Sequence, residues 1–316
     1  MASTTSASRV GLVTGGASGM GLAVVEHLVR EGWNVTVVDF NEEAGKAVQQ
    51  RLGGQVLFVR ANVISYESVG QAFVKSWQKW GRLDFGMLAL IPPLGFGDRI
   101  DFCAPADETA SGFPAQPDKL VLEVCLDGVV WTAYLALHFF RKNPSKSGVL
   151  VSTSSLAGLY PAAPVPLYGA AKHGVSWTKP FRRLLNTLTV IGLTRSLAKR
   201  LKEMNEPISV NCICPGLVPT PLVSQKVVEV VPKELLTPYT TITRAVQGFI
   251  SDPSITGQAA ECSGEDVIYR PVLPYGNYAS DYIVEARFAG RVNLEEMMED
   301  SVAKGKALDG MKLSKL

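Results

Sequence analysis

The chain has 316 residues, of which 47% are hydrophobic and 19% charged, a composition typical of a folded globular protein and not of a disordered one. Its net charge of +2 gives no strong field for attracting nucleic acid or an acidic membrane surface, so neither partner is expected. The five cysteines and three histidines show neither the spacing of a disulfide framework nor that of a zinc site, which favours a reducing compartment and a protein without a metal centre.

The first half of the chain is predicted to form β–α–β units. Residues 1–8 are rich in Ser and Thr and lack the apolar core of a signal peptide, so they are expected to be a flexible tail. After them, short apolar runs alternate with amphipathic segments, as in proteins built on a parallel sheet. The predicted strands are Val10–Thr14, Trp33–Val38, Val56–Val59 and Leu83–Ile91. Helices are predicted from Gly21 onward and over Val69–Trp80.

A glycine-rich turn joins the first strand to the first helix. Its residues are Thr14, Gly15, Gly16, Ala17, Ser18, Gly19, Met20 and Gly21. Glycines there let the backbone approach a pyrophosphate, and the helix N-terminus offers N–H donors to the phosphates. This pattern predicts a dinucleotide site.

The end of the second strand bears on which dinucleotide binds. Asp39 follows the glycine turn at the spacing of a carboxylate that accepts hydrogen bonds from ribose hydroxyls. A carboxylate repels a 2′-phosphate, and the neighbouring Phe40 and Asn41 provide no cation to neutralise one, so NAD is favoured over NADP. Asn62 and Val63, just after the third strand, are expected beside the adenine ring.

The second half begins with a long loop, Leu94–Pro117, whose Gly and Pro content and length are typical of functional loops. A helix over Lys119–Phe140 and strands over Gly148–Ser154 and Ile208–Cys214 are predicted next. A further helix is expected around Tyr168.

A second candidate site consists of Ser155, Tyr168 and Lys172. Tyr168 and Lys172 are four positions apart, so they project from one face of a helix. A phenol with a pKa of about 10 acts as an acid–base catalyst at neutral pH only when a nearby ammonium stabilises the phenolate. We expect Lys172 to do that and Ser155 to bind the substrate oxygen. The chemistry predicted is therefore that of a carbonyl or an alcohol.

These motifs resemble those of the short-chain dehydrogenase/reductase family over Arg9–Gly264. The resemblance lies in the glycine turn Thr14–Gly21, in Ser155, Tyr168 and Lys172 as catalytic residues, and in Pro215, Gly216, Val218 and Thr220 as the Pro-Gly motif. It implies an α/β fold of Rossmann type, a doubly wound parallel sheet with helices on both faces in a single domain. It also implies an NAD(P)-dependent oxidoreductase, with Tyr168 as the acid–base and Lys172 on the nicotinamide ribose. The Val218 backbone and the Thr220 hydroxyl would hold the nicotinamide carboxamide.

Within the family, the segment around Lys172 and the long loop are most similar to fungal members related to 15-hydroxyprostaglandin dehydrogenase. Three departures from the family pattern predict altered activity. Ala89, Leu90 and Ile91 replace its Asn-Ala-Gly motif, which removes a polar side chain and narrows the gap beside the cofactor. Cys125 aligns with an asparagine that holds a water next to the lysine, and because a thiol is a weak donor and acceptor, slower turnover is expected.

The third departure is an insertion, Ser176–Val190, which interrupts the predicted catalytic helix just after Lys172, His173 and Gly174. Pro180 would break or kink a helix there. One interpretation is a lid or an interface element. The other is that a short intron was retained, in which case the segment has no selected function.

The predicted organisation is a dehydrogenase domain over residues 9–270 and a C-terminal extension over 271–316. The predicted reaction interconverts a secondary alcohol and a ketone on a hydrophobic small molecule, such as a lipid or a secondary metabolite. The apolar residues between Pro219 and Pro238 support a hydrophobic substrate; they are Leu222, Val223, Val227 and Val230. The alternative is a cofactor-binding member with impaired or lost redox activity, acting as a scaffold or in a non-redox step. This alternative is based on two departures from the family pattern, Cys125 and Ala89–Ile91.

The last three residues suggest a location. Ser314, Lys315 and Leu316 match the tripeptide read by the peroxisomal import receptor, so a peroxisomal protein is expected, and otherwise a cytoplasmic one. Because members of this family are usually dimers or tetramers, the resemblance implies a homodimer or a homotetramer.

Overall fold

The computed structural model describes residues 8–89, 108–114, 116, 118–173 and 190–285, whose strands form one eight-stranded sheet. The strands are β1 Val10–Thr14, β2 Asn34–Asp39, β3 Val56–Arg60, β4 Phe85–Leu88, β5 Gly148–Thr153, β6 Ile208–Pro215, β7 Ala259–Ser263 and β8 Asp266–Arg270. Their order is β3-β2-β1-β4-β5-β6-β7-β8, and every neighbouring pair is parallel except the antiparallel pair β7–β8. The strand order reverses between β1 and β4, which opens a crevice at the carboxyl ends of the strands.

The helices lie in the connections between the strands. Those in the described residues are α1 Gly19–Arg30, α2 Glu42–Leu52, α3 Tyr66–Trp80, α4 Leu120–Leu122, α5 Gly128–Lys142, α6 Pro166–His173, α7 Val190–Glu203, α8 Gln225–Val230, α9 Tyr239–Ser251 and α10 Tyr278–Val284. The side chain of Asn41 caps α2 by accepting from Ala44 N–H, and Ser65 caps α3 in the same way. Gly81, with a φ of +70°, ends α3 in the left-handed conformation.

Two apolar layers cover the two faces of the sheet, as a parallel sheet requires. One layer packs the sheet against α3, α5 and α7 and includes Leu12, Leu88, Phe73, Phe140 and Leu150. The other packs it against α1 and α9 and includes Val13, Val25, Val37, Met87 and Phe249. This architecture confirms the predicted doubly wound α/β fold. The segment Leu120–Lys142 is long and apolar enough to cross a membrane by composition alone, but more than half of its most apolar window is buried in the protein, as in a core helix.

Several predicted elements differ in detail from the observed ones. Strand β4 is shorter than predicted, and Leu90 and Ile91 lie outside the described residues. A π-helical turn, Glu123–Asp127, interrupts the helix predicted over Lys119–Phe140, so that α4 and α5 are separate. Strands β7 and β8 were not predicted at all.

Two other predicted features are only partly described. Of the long loop, Glu108–Pro114 forms a turn closed by a bridge between its ends, and most of the remainder lies outside the described residues. The insertion lies outside them except for Val190, which begins α7 and is fully buried. The predicted interruption of the helix after Lys172 stays a prediction, because residues 174–189, between α6 and α7, lie outside the described residues.

Residues 8–173 and 190–270, where described, belong to one compact unit. The described part of the second unit, 271–285, contains α10, which Asn277 caps by accepting from Ser280 N–H. Its exposed apolar side chains include Leu273 and Tyr278.

Candidate active site

A small cleft opens at the carboxyl ends of the strands. Its lining residues are Met20, Ser154, Ser155, Tyr168, Pro215, Gly216, Val218 and Thr220. All of them except Ser154 were predicted from the sequence, in three motifs that lie far apart in the chain. The fold therefore brings the predicted cofactor-binding and catalytic residues to one place.

The glycine turn is shaped by contacts that leave no room for side chains. Gly15 has a φ of +64°, and a Cβ on it would overlap the carbonyl oxygen of Ala89. A Cβ on Gly21 would overlap the carbonyl oxygen of Gly15 in the same way. Gly19 has a φ of +53° and lies against Thr220, with its ideal Cβ position 3.2 Å from Thr220 Cγ2. These contacts fix the turn between Thr14 and the first turn of α1, which Ser18 precedes as the N-cap residue.

Asp39 connects the glycine turn to the end of β2. Its Oδ2 accepts a hydrogen bond from Ala17 N–H at 3.0 Å, and its Oδ1 accepts one from Asn41 N–H at 2.9 Å. Asn62 and Val63 follow the adjacent strand β3, where Ala61 N–H donates to the Asp39 carbonyl oxygen at 3.0 Å. The predicted ribose and adenine residues thus lie on neighbouring strands.

A cation lies near Asp39 on the adjacent strand, although none was predicted from the residues that neighbour Asp39 along the chain. Arg60 pairs with Asp39 in the β2–β3 register. Its guanidinium carbon lies 5.2 Å from the centre of the Phe40 ring, and its Nη1 lies 3.5 Å from Glu42 Oε2. A cation is therefore present beside the predicted ribose position, and it already faces a carboxylate.

Ser155, just after β5, and Tyr168, on α6, line the cleft, and Lys172 lies on α6 one turn after Tyr168. The phenol of Tyr168 is hydrogen-bonded to Ser155, whose Oγ also accepts from Ala157 N–H at 3.2 Å. Lys172 is fully buried, its Nζ donates to the Thr153 carbonyl oxygen at 2.9 Å, and Nζ lies 5.6 Å from the centre of the Tyr168 ring. Burial raises the pKa of the Tyr168 phenol, and the Ser155 hydrogen bond opposes this effect. The phenol therefore holds a proton that it can donate into the cleft.

Cys125 lies against Lys172, the lysine that the sequence predicts to be catalytic. It lies in the π-helical turn, is fully buried and packs with Val121, Tyr168 and Ala171. Its thiol is hydrogen-bonded to Lys172, and burial raises the pKa of that thiol, so a neutral group faces the ammonium. The position of Cys125 is thus the one that the resemblance implied. π-Helical turns are often found at functional sites.

The Pro-Gly motif presents a polar group that the protein itself does not satisfy. Thr220 Oγ1 is buried and has no hydrogen-bond partner among the described residues. Leaving a buried hydroxyl unpaired is costly, and a carboxamide in the cleft would pair with it. Thr220, the glycine turn and Asp39 therefore fit a nicotinamide dinucleotide. When bound, such a cofactor supplies or accepts the hydride in carbonyl and alcohol chemistry.

Comparisons with known proteins agree with this assignment. Residues 9–187 match the family described as short chain dehydrogenase. The chain is 31% identical over 264 residues to the short-chain dehydrogenase/reductase prx6 of Penicillium rubens, which covers 82% of each chain. It is 32% identical over 220 residues to 15-hydroxyprostaglandin dehydrogenase [NAD(+)] of Bos taurus, covering 68% of this chain and 70% of that protein.

A solved structure extends the similarity to the fold. The 3-hydroxyacyl-CoA dehydrogenase type-2 of Mycobacterium avium aligns with a TM-score of 0.64 at 27% identity and covers 83% of this chain and 96% of that one.

Proposed function

Because the chain belongs to the short-chain dehydrogenase/reductase family of NAD(P)-dependent oxidoreductases acting on CH–OH groups, we propose that it interconverts a secondary alcohol and a ketone on a hydrophobic small molecule, with NAD as its cofactor. One observation carries this proposal. The proton-bearing phenol of Tyr168, the Ser155 hydroxyl and the unpaired Thr220 hydroxyl line one cleft.

Ser155, Tyr168 and Lys172 each have a task in the proposed reaction. In ketone reduction, Ser155 binds the carbonyl oxygen and Tyr168 gives its proton to that oxygen as the alkoxide forms. The ammonium of Lys172, near the Tyr168 ring, stabilises the phenolate left behind. In alcohol oxidation the same phenolate accepts the proton of the hydroxyl group.

The preference for NAD rests on Asp39. Both of its carboxylate oxygens accept backbone N–H groups, which hold the charge at the end of β2 where it would repel a 2′-phosphate. Glu42 lies beside Arg60 and reduces the cation's attraction for such a phosphate. The name of the bovine relative also specifies NAD(+), which agrees with this preference.

The hydrophobic substrate is proposed from the segment that follows Thr220. Val227, Val230 and Leu235 on this segment are exposed, and Leu222 and Val223 are half-buried. The base of the segment is closed by two hydrogen bonds, from Thr237 N–H to the Leu217 carbonyl at 2.8 Å and from the Tyr239 hydroxyl to the Pro219 carbonyl at 3.0 Å. Exposed apolar side chains beside a catalytic cleft favour an apolar ligand.

The test uses the purified full chain with NADH and NADPH. We expect fluorescence titration to give a Kd for NADH at least about tenfold below that for NADPH. In a series of methyl ketones, the KM should fall with chain length by up to about fourfold per CH₂ group, the factor that corresponds to burial of one CH₂. A preference for NADPH would contradict the Asp39 argument alone, an unchanging KM would contradict the hydrophobic substrate, and binding of neither cofactor would contradict the whole proposal.

The comparisons give no support to the alternative of a non-redox scaffold. The peroxisomal location and the homodimer or homotetramer stay predictions, and Ser314, Lys315 and Leu316 lie outside the described residues.

A further inference from the structure

The side chain of Tyr160 forms a closed hydrogen-bond ring with two side chains of the β7–β8 hairpin, Glu261 and Arg270. The Tyr160 hydroxyl donates to Glu261 Oε2 at 2.9 Å, Arg270 Nε donates to the same oxygen at 2.6 Å, and Arg270 Nη2 donates to the Tyr160 oxygen at 2.5 Å. The carboxylate of Glu261 is buried on β7, and Arg270 ends the antiparallel strand β8. We call this group the Tyr160 ring.

Each member of the ring has a compatible role. Glu261 accepts two hydrogen bonds, Arg270 donates to both partners, and Tyr160 donates one and accepts one. A buried carboxylate needs such partners, because an unpaired charge in the protein interior is costly. The ring therefore has a fixed geometry, which also gives Tyr160 a fixed position.

Tyr160 lies at the end of the turn that carries the proposed substrate-binding serine. Gly158 N–H donates to the Ser155 carbonyl at 2.9 Å, and Tyr160 N–H donates to the Leu156 carbonyl at 2.8 Å. Leu156 in turn lies against Gly216, with its Cδ1 3.6 Å from the ideal Cβ position of that glycine. One short hydrogen-bonded turn therefore connects Tyr160 to Ser155 and, through Leu156, to Gly216 in the wall of the cleft.

We propose that Tyr160, Glu261 and Arg270 are positioning residues, which hold the Ser155–Tyr160 turn against β7 and β8 so that the Ser155 hydroxyl is in place for the substrate oxygen. This inference rests on the proposed function, because it assigns the ring a role in that same reaction. None of the three side chains lines the cleft, so the ring acts through Ser155 and not on the substrate.

The most informative variant is Tyr160→Phe. It removes the two hydrogen bonds made by the hydroxyl and leaves the ion pair between Arg270 and Glu261, at 2.6 Å, intact. The matched control is Tyr269→Phe, which removes a tyrosine hydroxyl of similar exposure, 43% against 45%, from the neighbouring position on β8. Glu261→Ala is unsuitable as a first test, since it leaves a partly buried guanidinium without its carboxylate.

Two measurements are made on the full chain, wild type and both variants. The first is steady-state ketone reduction, with the NADH Kd and the melting temperature determined alongside. For Tyr160→Phe we expect kcat to fall about tenfold with the NADH Kd within about twofold, because a small displacement of a substrate-binding group costs turnover. The second is hydrogen exchange, where the amides of Gly158 and Tyr160 should exchange about tenfold faster. Tyr269→Phe should change neither value.

The two arms separate this inference from the proposed function. If the wild type reduces no ketone, the proposed function is wrong. The hydrogen-exchange rates of Gly158 and Tyr160 then test by themselves whether the Tyr160 ring stabilises the Ser155–Tyr160 turn. An unchanged kcat in Tyr160→Phe, or exchange rates equal to those of wild type, would overturn the positioning role. If kcat falls by the same factor in Tyr269→Phe, the cause is a loss of stability of the β7–β8 hairpin, and the positioning role is again wrong.

Discussion

Turnover is expected to depend most on the phenol hydroxyl of Tyr168, which carries the proton that is transferred. Tyr168→Phe removes that proton but keeps the ring that packs with Cys125 and Ala171. We expect kcat for ketone reduction to fall by a factor of about 10² to 10⁴, the usual contribution of a general acid, while NADH still binds. Steady-state kinetics and a fluorescence titration measure the two quantities, and a variant that retains half of its turnover would contradict the assignment.

The pH dependence of the two reaction directions tests the same group. Burial raises the pKa of the Tyr168 phenol, so the proton stays bound at neutral pH. Ketone reduction uses the protonated form and should be nearly constant from about pH 6 to pH 9, whereas alcohol oxidation uses the deprotonated form and should rise across that range. Initial rates in both directions measure the profiles. A reduction rate that falls steadily as the pH rises would contradict the raised pKa.

Cys125 is the side chain through which turnover could be improved. Its thiol is a weak partner for the Lys172 ammonium, and burial raises its pKa so that no thiolate forms near neutral pH. Asparagine is close to cysteine in volume and offers a carbonyl oxygen and an amide. We expect Cys125→Asn to increase kcat about threefold to tenfold, measured as ketone reduction at saturating NADH. Cys125→Ala, the control, should not increase kcat, and an equal gain in both variants would show that the hydrogen bond is irrelevant.

Asp39 and Arg60 together determine how far the cofactor preference can be shifted. Asp39→Ser removes the carboxylate that repels a 2′-phosphate and keeps a small acceptor for Ala17 N–H. We expect the Kd for NADPH to fall about tenfold and the Kd for NADH to rise. The gain should disappear in Asp39→Ser combined with Arg60→Met, because Arg60 is the cation next to that position in the sheet register. If the double variant binds NADPH as tightly as Asp39→Ser does, Arg60 does not contribute to NADPH binding.

At the level of elements, the glycine turn can be tested by comparing two glycines of positive φ. Gly15→Ala places a methyl group in the carbonyl oxygen of Ala89, whereas Gly32→Ala meets no atom within 4 Å. Both variants carry a backbone strain of about 1–2 kcal/mol, but only the first must displace the turn. We expect Gly15→Ala to raise the NADH Kd at least about tenfold and Gly32→Ala to lower only the melting temperature. Equal cofactor binding by both variants would contradict the role of the turn.

The elements predicted well are those whose sequences carry their own signal. Strand β1 is an apolar run buried along its whole length, and the three site motifs are local patterns at strand ends, so the sequence suffices for them. The missed elements depend on distant partners. Strand β7 contains Glu261, whose charge is compensated by Tyr160 and Arg270, and no local pattern shows that Tyr160, 101 positions away, is its partner. The sequence Ser263–Asp266, with Gly264 at a φ of +54°, is nevertheless a hairpin signal that could have indicated β8.

Other missed features depend on packing between elements. The π-helical turn at Cys125 and the adjacent α4 both pack against α6, and the residues of the turn have no unusual helix propensity that would have indicated it. Arg60 lies beside Asp39 only because β3 pairs with β2 in that register. Register and packing are properties of the assembled sheet, and a single sequence does not specify them.

For the molecule as a whole, the burial pattern of α6 and α7 matches the pattern expected of one continuous helix from which Ser176–Val190 has been removed. Lys172 on α6 is fully buried, and four residues on one face of α7 are also buried: Ile191, Thr194, Ala198 and Leu201. Without the fifteen residues Ser176–Val190, these four follow Lys172 by 4, 7, 11 and 14 positions, the spacing of one helical face. Val175 then directly precedes Ile191, so a valine still occupies the place of the buried Val190.

This pattern predicts the outcome of deleting Ser176–Val190. We expect the shortened chain to fold, to melt several degrees higher and to turn over ketones faster, because α6, which carries Tyr168 and Lys172, would then continue directly into α7, and the stability of a helix increases with its length. The control replaces the same fifteen residues with a Gly/Ser linker, which changes the sequence of the segment but keeps the interruption, and it should show no gain. Calorimetry, steady-state kinetics and size-exclusion chromatography of the three proteins provide the measurements. If the deletion instead lowers the molecular mass measured in solution, the segment is an interface element. If it abolishes turnover, the segment is a lid. Either result would show that the retained-intron interpretation is wrong.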